Sequence, residues 1–120
     1  MAKKILIVDD EENIRELIGD VLKIQGYKVI FAEDGLEALN KTAEEKIDLI
    51  VLDVNLPKMD GYEFLKLLRQ NKKISKIPVI VLSCAETIGT ITKFMDLGAK
   101  DYMLKSNGPA KLVDKIKKYV

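Results

Sequence analysis

Asp48-Leu49-Ile50-Val51-Leu52-Asp53 is the stretch that decides the fold, together with the Val54-Asn55-Leu56-Pro57-Lys58-Met59-Asp60-Gly61 that follows it. Four consecutive branched aliphatics read as a strand buried on both faces, as in the middle of a parallel sheet. The run breaks at a carboxylate. Asp53 stands where the strand must leave the sheet, and in open α/β folds that edge is where ligands bind. Asp is a common turn starter, but the turn and helix start that follow have their own signals in Pro57, Asp60 and Gly61. Asp53 is left without a structural task.

The same unit recurs on both sides of this stretch. Ile5-Leu6-Ile7-Val8 is a buried strand ended by Asp9-Asp10-Glu11-Glu12. Ile14, Leu17, Ile18, Val21 and Leu22 then repeat at helical spacing up to Gly26. Residues 28–32 form a shorter strand. Asp34 and Glu37 stand at capping-box spacing, before a helix with Leu36, Leu39 and Ala43 on one side. Asp60 and Glu63 repeat that spacing before a face of Tyr62, Phe64, Leu65 and Leu68. Residues 78–83 form another buried strand, with Pro78 tolerated at its first position. Residues 86–97 make the weakest helix, because Thr87, Ile88, Gly89, Thr90, Ile91 and Thr92 are mediocre or poor helix formers. Gly98 ends it, residues 101–105 form a last strand, and Pro109 suits the first turn of a helix carrying Leu112, Val113, Ile116 and Val120.

Strand and helix thus alternate five times, which predicts an α/β domain: a parallel sheet with helices on both faces. Right-handed crossovers bring every strand's C-terminal end to one edge. No repeat, low-complexity tract or linker interrupts the pattern, so residues 1–120 are expected to form a single domain.

Composition narrows the function. Hydrophobic residues make up 48% of the 120, which argues for a folded core. Twenty basic residues against nineteen acidic give a formal charge of +1, so nothing favours nucleic acid or an anionic membrane as a partner. A lone cysteine excludes an internal disulfide and points to a reducing, cytoplasmic setting. The N-terminus has no signal-peptide pattern, and no apolar run approaches spanning length. The chain has no histidine, which removes the commonest general base and metal ligand.

The topology gathers chemistry at one sheet edge. Strand one delivers Asp9 and Asp10, strand three Asp53, strand four Ser83 and strand five Lys105. Each has an ordinary explanation alone: a helix start for the acids, a strand-end hydroxyl for Ser83, a solvated lysine for Lys105. Four strands ending in these types together favour function. Three adjacent carboxylates call for a cation, and hard oxygen ligands without His or Cys suit Mg²⁺. A carboxylate can attack phosphorus to give an acyl phosphate, with Lys105 and Ser83 holding phosphoryl oxygens. Phosphoryl transfer needs mainly positioning and charge neutralisation.

The whole chain resembles the receiver domain of two-component response regulators, the CheY-like family. The markers are Ile7-Val8-Asp9-Asp10, Leu52-Asp53, Leu56-Pro57-Lys58-Met59-Asp60-Gly61, Ser83, Gly98-Ala99-Lys100-Asp101-Tyr102 and Lys105. The resemblance implies a doubly wound five-stranded sheet of order 2-1-3-4-5. It implies Asp53 as phospho-acceptor, Asp9 and Asp10 as the acidic pair for Mg²⁺ (or Mn²⁺), and Asn55 as the residue whose backbone carbonyl also binds the metal. Lys105 matches the lysine on the phosphoryl group, and Ser83 and Tyr102 match a switch pair. The implied donor is a phosphohistidine on a sensor kinase or phosphotransfer protein. An output protein would bind the surface of the fourth helix, fifth strand and fifth helix. Lysines 111, 115, 117 and 118 near that surface are expected to form a solvated face.

Two positions depart from the family pattern. Ser106 stands where the family usually has proline, often after a cis bond; a cis bond before a non-proline residue costs roughly 2.5–4 kcal/mol, so either the loop path changes or packing compensates. Cys84 stands where a very small residue is usual. It is expected to be a buried apolar side chain, the other reading being that its sulfur narrows access to Asp53.

Three rival functions are weighed. An aspartate-nucleophile phosphatase would resemble an Asp-x-Asp pattern on strand one, but Glu11 and Glu12 occupy the positions two after the acids. A nucleotide- or flavin-binding module wants a Gly- or Ser-rich phosphate loop there, and Asp9 to Glu12 would repel phosphate. A degenerate receiver acting as a phosphorylation-independent adaptor rests on Cys84 and Ser106 alone. The expectation is a signalling switch that catalyses only its own phosphorylation and dephosphorylation.

Overall fold

The structure, a computed structural model, describes residues 2–84 and 88–120. Its elements run β1 (Lys4–Val8), α1 (Glu12–Ile24), β2 (Lys28–Ala32), α2 (Gly35–Glu44), β3 (Leu49–Asp53), α3 (Gly61–Gln70), β4 (Val79–Ser83), α4 (Ile88–Asp96), β5 (Asp101–Leu104) and α5 (Pro109–Tyr119). All strand pairs are parallel, in the order β2-β1-β3-β4-β5. The expected doubly wound sheet is therefore observed. Among the described residues no helix is long and apolar enough to cross a membrane.

The unbroken apolar runs are explained by two cores. Leu6, Val8, Ile50, Leu52, Val79 and Val81 face one layer, with Ala38, Phe64, Leu65, Leu68 and Phe94. Ile5, Ile7, Leu49, Val51, Ile80 and Leu82 face the other, with Ile18, Leu22, Leu112, Val113 and Ile116. Successive side chains point to opposite faces of a strand, so a strand with helices on both sides must be apolar at every position. Each such side chain contributes about 1.5–3 kcal/mol on burial.

Several helix boundaries follow their signals. Asp34 Oδ1 accepts the Glu37 N–H at 2.8 Å and Asp60 Oδ1 accepts the Glu63 N–H at 2.9 Å. The reciprocal bond of Glu37 goes to the N–H of Glu33, 3.0 Å away, rather than to that of the capping residue. Gly98, at φ 84°, closes α4: its N–H bonds Met95 O while the Ala99 N–H bonds Phe94 O. These are the two bonds of a Schellman end, which requires the left-handed region at the glycine.

Other expectations are corrected. On α2 the buried residues are Gly35, Ala38 and Thr42, while Leu36 is 50% exposed and Ala43 is exposed. The docking of Gly35 on Met59 O, through a 3.2 Å N–H bond, sets the helix rotation. Thr42 satisfies its hydroxyl internally on Leu39 O at 2.8 Å, which lets it enter the core. On α1, Leu17 is 51% exposed although it lies on the apolar stripe. Of the helix expected over 86–97, residues 86 and 87 lie outside the described residues, and the described helix begins at Ile88. Strand β5 stops at Leu104, so Lys105 opens a 3₁₀ turn over Lys105–Asn107 instead of ending the strand.

Candidate functional site

Strand register brings the acids together. Val8 pairs with Leu52, so Asp9 and Asp53 leave adjacent strands side by side. Asp53 pairs with Leu82, which puts Ser83 one residue further along the neighbouring strand, opposite Leu104. Asp9, Asp10 and Asp53 each offer a carboxylate oxygen within 4.8 Å of the others'. Asp9 is fully buried, Asp53 is 3% exposed and Asp10 is exposed.

Neither Asp9 nor Asp10 caps α1. The N-cap is Glu11, with no side-chain cap bond. Asp9 instead makes a tight turn in which its Oδ1 accepts the Glu11 N–H at 2.9 Å. Side-chain capping of α1 therefore does not account for the acidic pair.

Lys105 Nζ enters this acidic pocket, 3.0 Å from Asp9 Oδ2, 3.2 Å from Asp53 Oδ2 and 3.7 Å from Glu11 Oε1. It donates a hydrogen bond to Asp53. Toward Asp9 Oδ2 the distance is that of an ion pair, but that oxygen has no partner of good hydrogen-bond geometry. A buried carboxylate oxygen left short of donors, with two more carboxylates beside it, is what a hard divalent cation satisfies. The donor set present fits Mg²⁺.

Burial pushes the Asp53 carboxyl up to about 6 from its ordinary 3.8, and repulsion from Asp9 adds to this. The charge and hydrogen bond of Lys105, and the Asn55 N–H 3.4 Å from Asp53 Oδ1, pull the other way. For Lys105, burial works against the ammonium, but the nearness of the Asp9 and Asp53 carboxylates outweighs it and raises its pKa.

The turn after Asp53 is built by close approach. A Cβ on Gly61 would collide with the carbonyl oxygen of Asp53, and its N–H bonds Val54 O at 3.2 Å. Only glycine lets α3 start this close to the strand end. The intervening loop folds tightly, with Lys58 at φ 64° and a 2.7 Å bond from Met59 N–H to Pro57 O.

The remaining expected residues are located as follows. Asn55 is exposed beside Asp53, and Ser83 is buried at the end of β4. Tyr102 is half-buried on β5, packed against the core that contains Phe94 and Ala99. Cys84 is exposed, not buried: β4 ends at Ser83, and the next residue has left the sheet. The loop after Lys105 has no cis bond among the described residues, and residues 105–107 form the 3₁₀ turn. Lys115 is not simply solvated; both oxygens of Asp101 lie 3.0 Å from its Nζ. Lysines 111, 117 and 118 are exposed as expected.

Two arginines escaped the sequence reading. Arg15 donates to the backbone carbonyl of Asp9 at 2.8 Å and reaches Glu33 Oε1 at 3.4 Å. Arg69, at the end of α3, donates to four carbonyls: Leu97 at 3.0 Å, Gly98 at 2.9 Å, Ser75 at 2.8 Å and Ile77 at 3.0 Å. A compositional signal was available: the chain has two arginines and eighteen lysines. Arg69 forks onto backbone oxygens alone and Arg15 onto one backbone oxygen and one carboxylate, which the point charge of lysine does poorly.

Known proteins agree with this geometry. The chain is 47% identical over 117 residues to the alkaline phosphatase synthesis transcriptional regulatory protein PhoP of Bacillus subtilis, covering 98% of this chain and 48% of that protein. It spans about half the length of the curated relatives that it matches. The chemotaxis protein CheY4 of Vibrio cholerae superposes with a TM-score of 0.94 at 31% identity, covering 100% of both chains. The receiver domain of the sensor histidine kinase PA1611 from Pseudomonas aeruginosa superposes with a TM-score of 0.90 at 26% identity, covering 99% of this chain and 98% of that one. That structure has a magnesium ion coordinated in the active-site cleft. The family model for the response regulator receiver domain matches residues 5–117. With the fold, the edge carboxylates and these relatives in agreement, the chain belongs to the response regulator receiver domain family.

Proposed function

We propose that the chain is a phosphorylation switch that accepts a phosphoryl group on Asp53 from a phosphohistidine of a sensor histidine kinase or phosphotransfer protein. The observation that carries this reading is the buried Asp53 carboxylate held 3.2 Å from Lys105 Nζ, with Asp9 and Asp10 beside it. With its pKa raised to about 6, Asp53 is still mainly the carboxylate at neutral pH, and so a competent nucleophile. One of its oxygens forms the new bond to phosphorus as the P–N bond to the donor imidazole breaks, and the imidazole keeps the electron pair and takes a proton. Lys105 balances charge on the phosphoryl oxygens, and Ser83 donates a hydrogen bond to one of them.

Asp9, Asp10, Asp53 and the backbone carbonyl of Asn55 would hold one Mg²⁺ (or Mn²⁺). When bound, the cation supplies charge neutralisation for the transferring group. The partly satisfied Asp9 Oδ2 supports this assignment.

The phosphoryl charge at Asp53 then biases two packings of Ser83, α4 and Tyr102, which alters the surface made by α4, β5 and α5 for an output partner. The chain turns over no outside substrate; it works in the cytoplasm and leaves nucleic-acid binding to other parts of a signalling system. Acetyl phosphate with and without Mg²⁺, followed by intact mass, tests this. One labile phosphoryl group is expected only with metal, and none on Asp53→Asn. Wild type that stays unmodified at every time and donor concentration would instead favour an adaptor that works without phosphorylation.

A further inference from the structure

We propose that Arg15 is a positioning residue that fixes the acidic turn for its cation; this rests on the metal reading above. The Asp9 carbonyl lies before the first turn of α1, which begins at Glu12, so no helical N–H is available to it. Arg15 supplies the donor from within α1, at 2.8 Å, with its side chain only 13% exposed. The remaining anchors of Asp9 come from elsewhere: its N–H bonds Ala32 O at 3.1 Å, its Oδ1 accepts from Glu11, and its Oδ2 faces Lys105. Every polar group of Asp9 except Oδ2 is thus tied down in the hydrogen-bond sense. Arg15 sets the backbone so that this one oxygen, and the neighbouring carboxylate of Asp10, face Asp53.

The second arm of Arg15 reaches Glu33 at 3.4 Å, in the loop between β2 and α2. Glu33 is exposed and the contact is long, so this arm orients the guanidinium while the bond to Asp9 does the holding. Lysine could keep the positive charge near the three acids but could not bond the carbonyl and Glu33 in one plane. Groups that orient metal ligands without touching the metal commonly change its affinity 10–100-fold.

The test uses the full chain with Arg15→Met and Arg15→Lys. Isothermal titration with Mg²⁺ should show about tenfold or greater weakening in Arg15→Met and a smaller loss in Arg15→Lys. In metal-free buffer, amide exchange at Glu11, whose N–H is held by Asp9, should speed up in Arg15→Met, while exchange in β4 stays as in wild type. Mg²⁺ affinity within about twofold of wild type in Arg15→Met overturns the proposal. Unchanged Glu11 exchange also overturns it, since only the charge of Arg15 would then matter. If wild type itself takes up no Mg²⁺, the metal reading of the site fails separately, and the Glu11 exchange alone decides the role of Arg15. Should Arg15→Met not fold, Arg15→Lys carries both measurements.

Discussion

Lys105 and Asp53 meet across the edge of the sheet, Nζ to Oδ2, at 3.2 Å, although they are separated by 52 positions in the chain. The same ammonium lies 3.0 Å from Asp9. It is the cation of the described site, and the two buried acids depend on it. Lys105→Met is expected to raise the Asp53 pKa above its present value of about 6, because burial and Asp9 are then opposed only by the Asn55 N–H. Carbon-detected titration of the Asp53 carboxyl reads this directly. The metal-free variant should lose about 1–3 kcal/mol in urea unfolding, less than for a fully enclosed ion pair because the Asp10 side is open.

Asp53 itself weakens the metal-free fold at neutral pH. Its folded pKa is raised, so the native state binds the proton more tightly than the unfolded chain does. The penalty is fully present above about pH 6 and disappears as pH falls toward 3.8. Asp53→Asn should therefore be more stable than wild type at pH 7.5 without metal, by about 1–2 kcal/mol. The gap should close on acidification to pH 4. Paired urea melts across that range check the sign; a gap that widens toward acid contradicts it.

Gly61→Ala should disturb Asp53 without touching its side chain. The added methyl must displace the Asp53 carbonyl or the start of α3. A loss of about 1–3 kcal/mol is expected from such overpacking. Slower phosphorylation by acetyl phosphate, read by intact mass at early times, should accompany it. Phosphorylation at the wild-type rate would show that α3 moves rather than the strand end.

Arg69 ties α3 to the loop before β4 and to the end of α4. Burial pulls its guanidinium below its ordinary pKa, and four carbonyls surround it. Arg69→Met should cost about 2–4 kcal/mol, and Arg69→Lys should recover less than half, since an ammonium cannot serve both loops at once. Faster amide exchange at Ala99 and Lys100 is the local readout. Full recovery by lysine would mean that charge, not the fork, is what the loops require.

Cys84 is exposed next to a buried Ser83. Native protein should accordingly take up one equivalent of a maleimide at a rate close to that of the urea-unfolded chain. Strong protection of the thiol would restore the buried reading.

The strands and the carboxylate at the end of β3 were legible because they rest on strong local contrasts. Leu49 to Leu52 can be buried on both faces only between two helical layers, and Asp53 then breaks the pattern where a turn did not need it. The face of α2 was not legible. Leu36 against Thr42 is decided by the docking of Gly35 on Met59, a contact 24 residues away in sequence. Cys84 depended on the last residue of β4, and a strand end is uncertain by a residue or two. Arg15 and Arg69 look like ordinary helix-surface cations in sequence, because their shortest bonds go to backbone oxygens, which every residue has. Only their rarity among the lysines marked them.

Strand β3 hydrogen-bonds on both sides, to β1 and to β4, while β5 pairs on one side only. The consequence is a separation of time scales. Exchange of the amides in β3 should require the rarest openings of the molecule, whereas the periphery opens locally and often. A group attached to Asp53 therefore sits on the slowest part of the protein, and its lifetime is set by bond chemistry. In a switch of the kind proposed, the edge strand β5, paired on one side only, would re-equilibrate many times while Asp53 stays where it is.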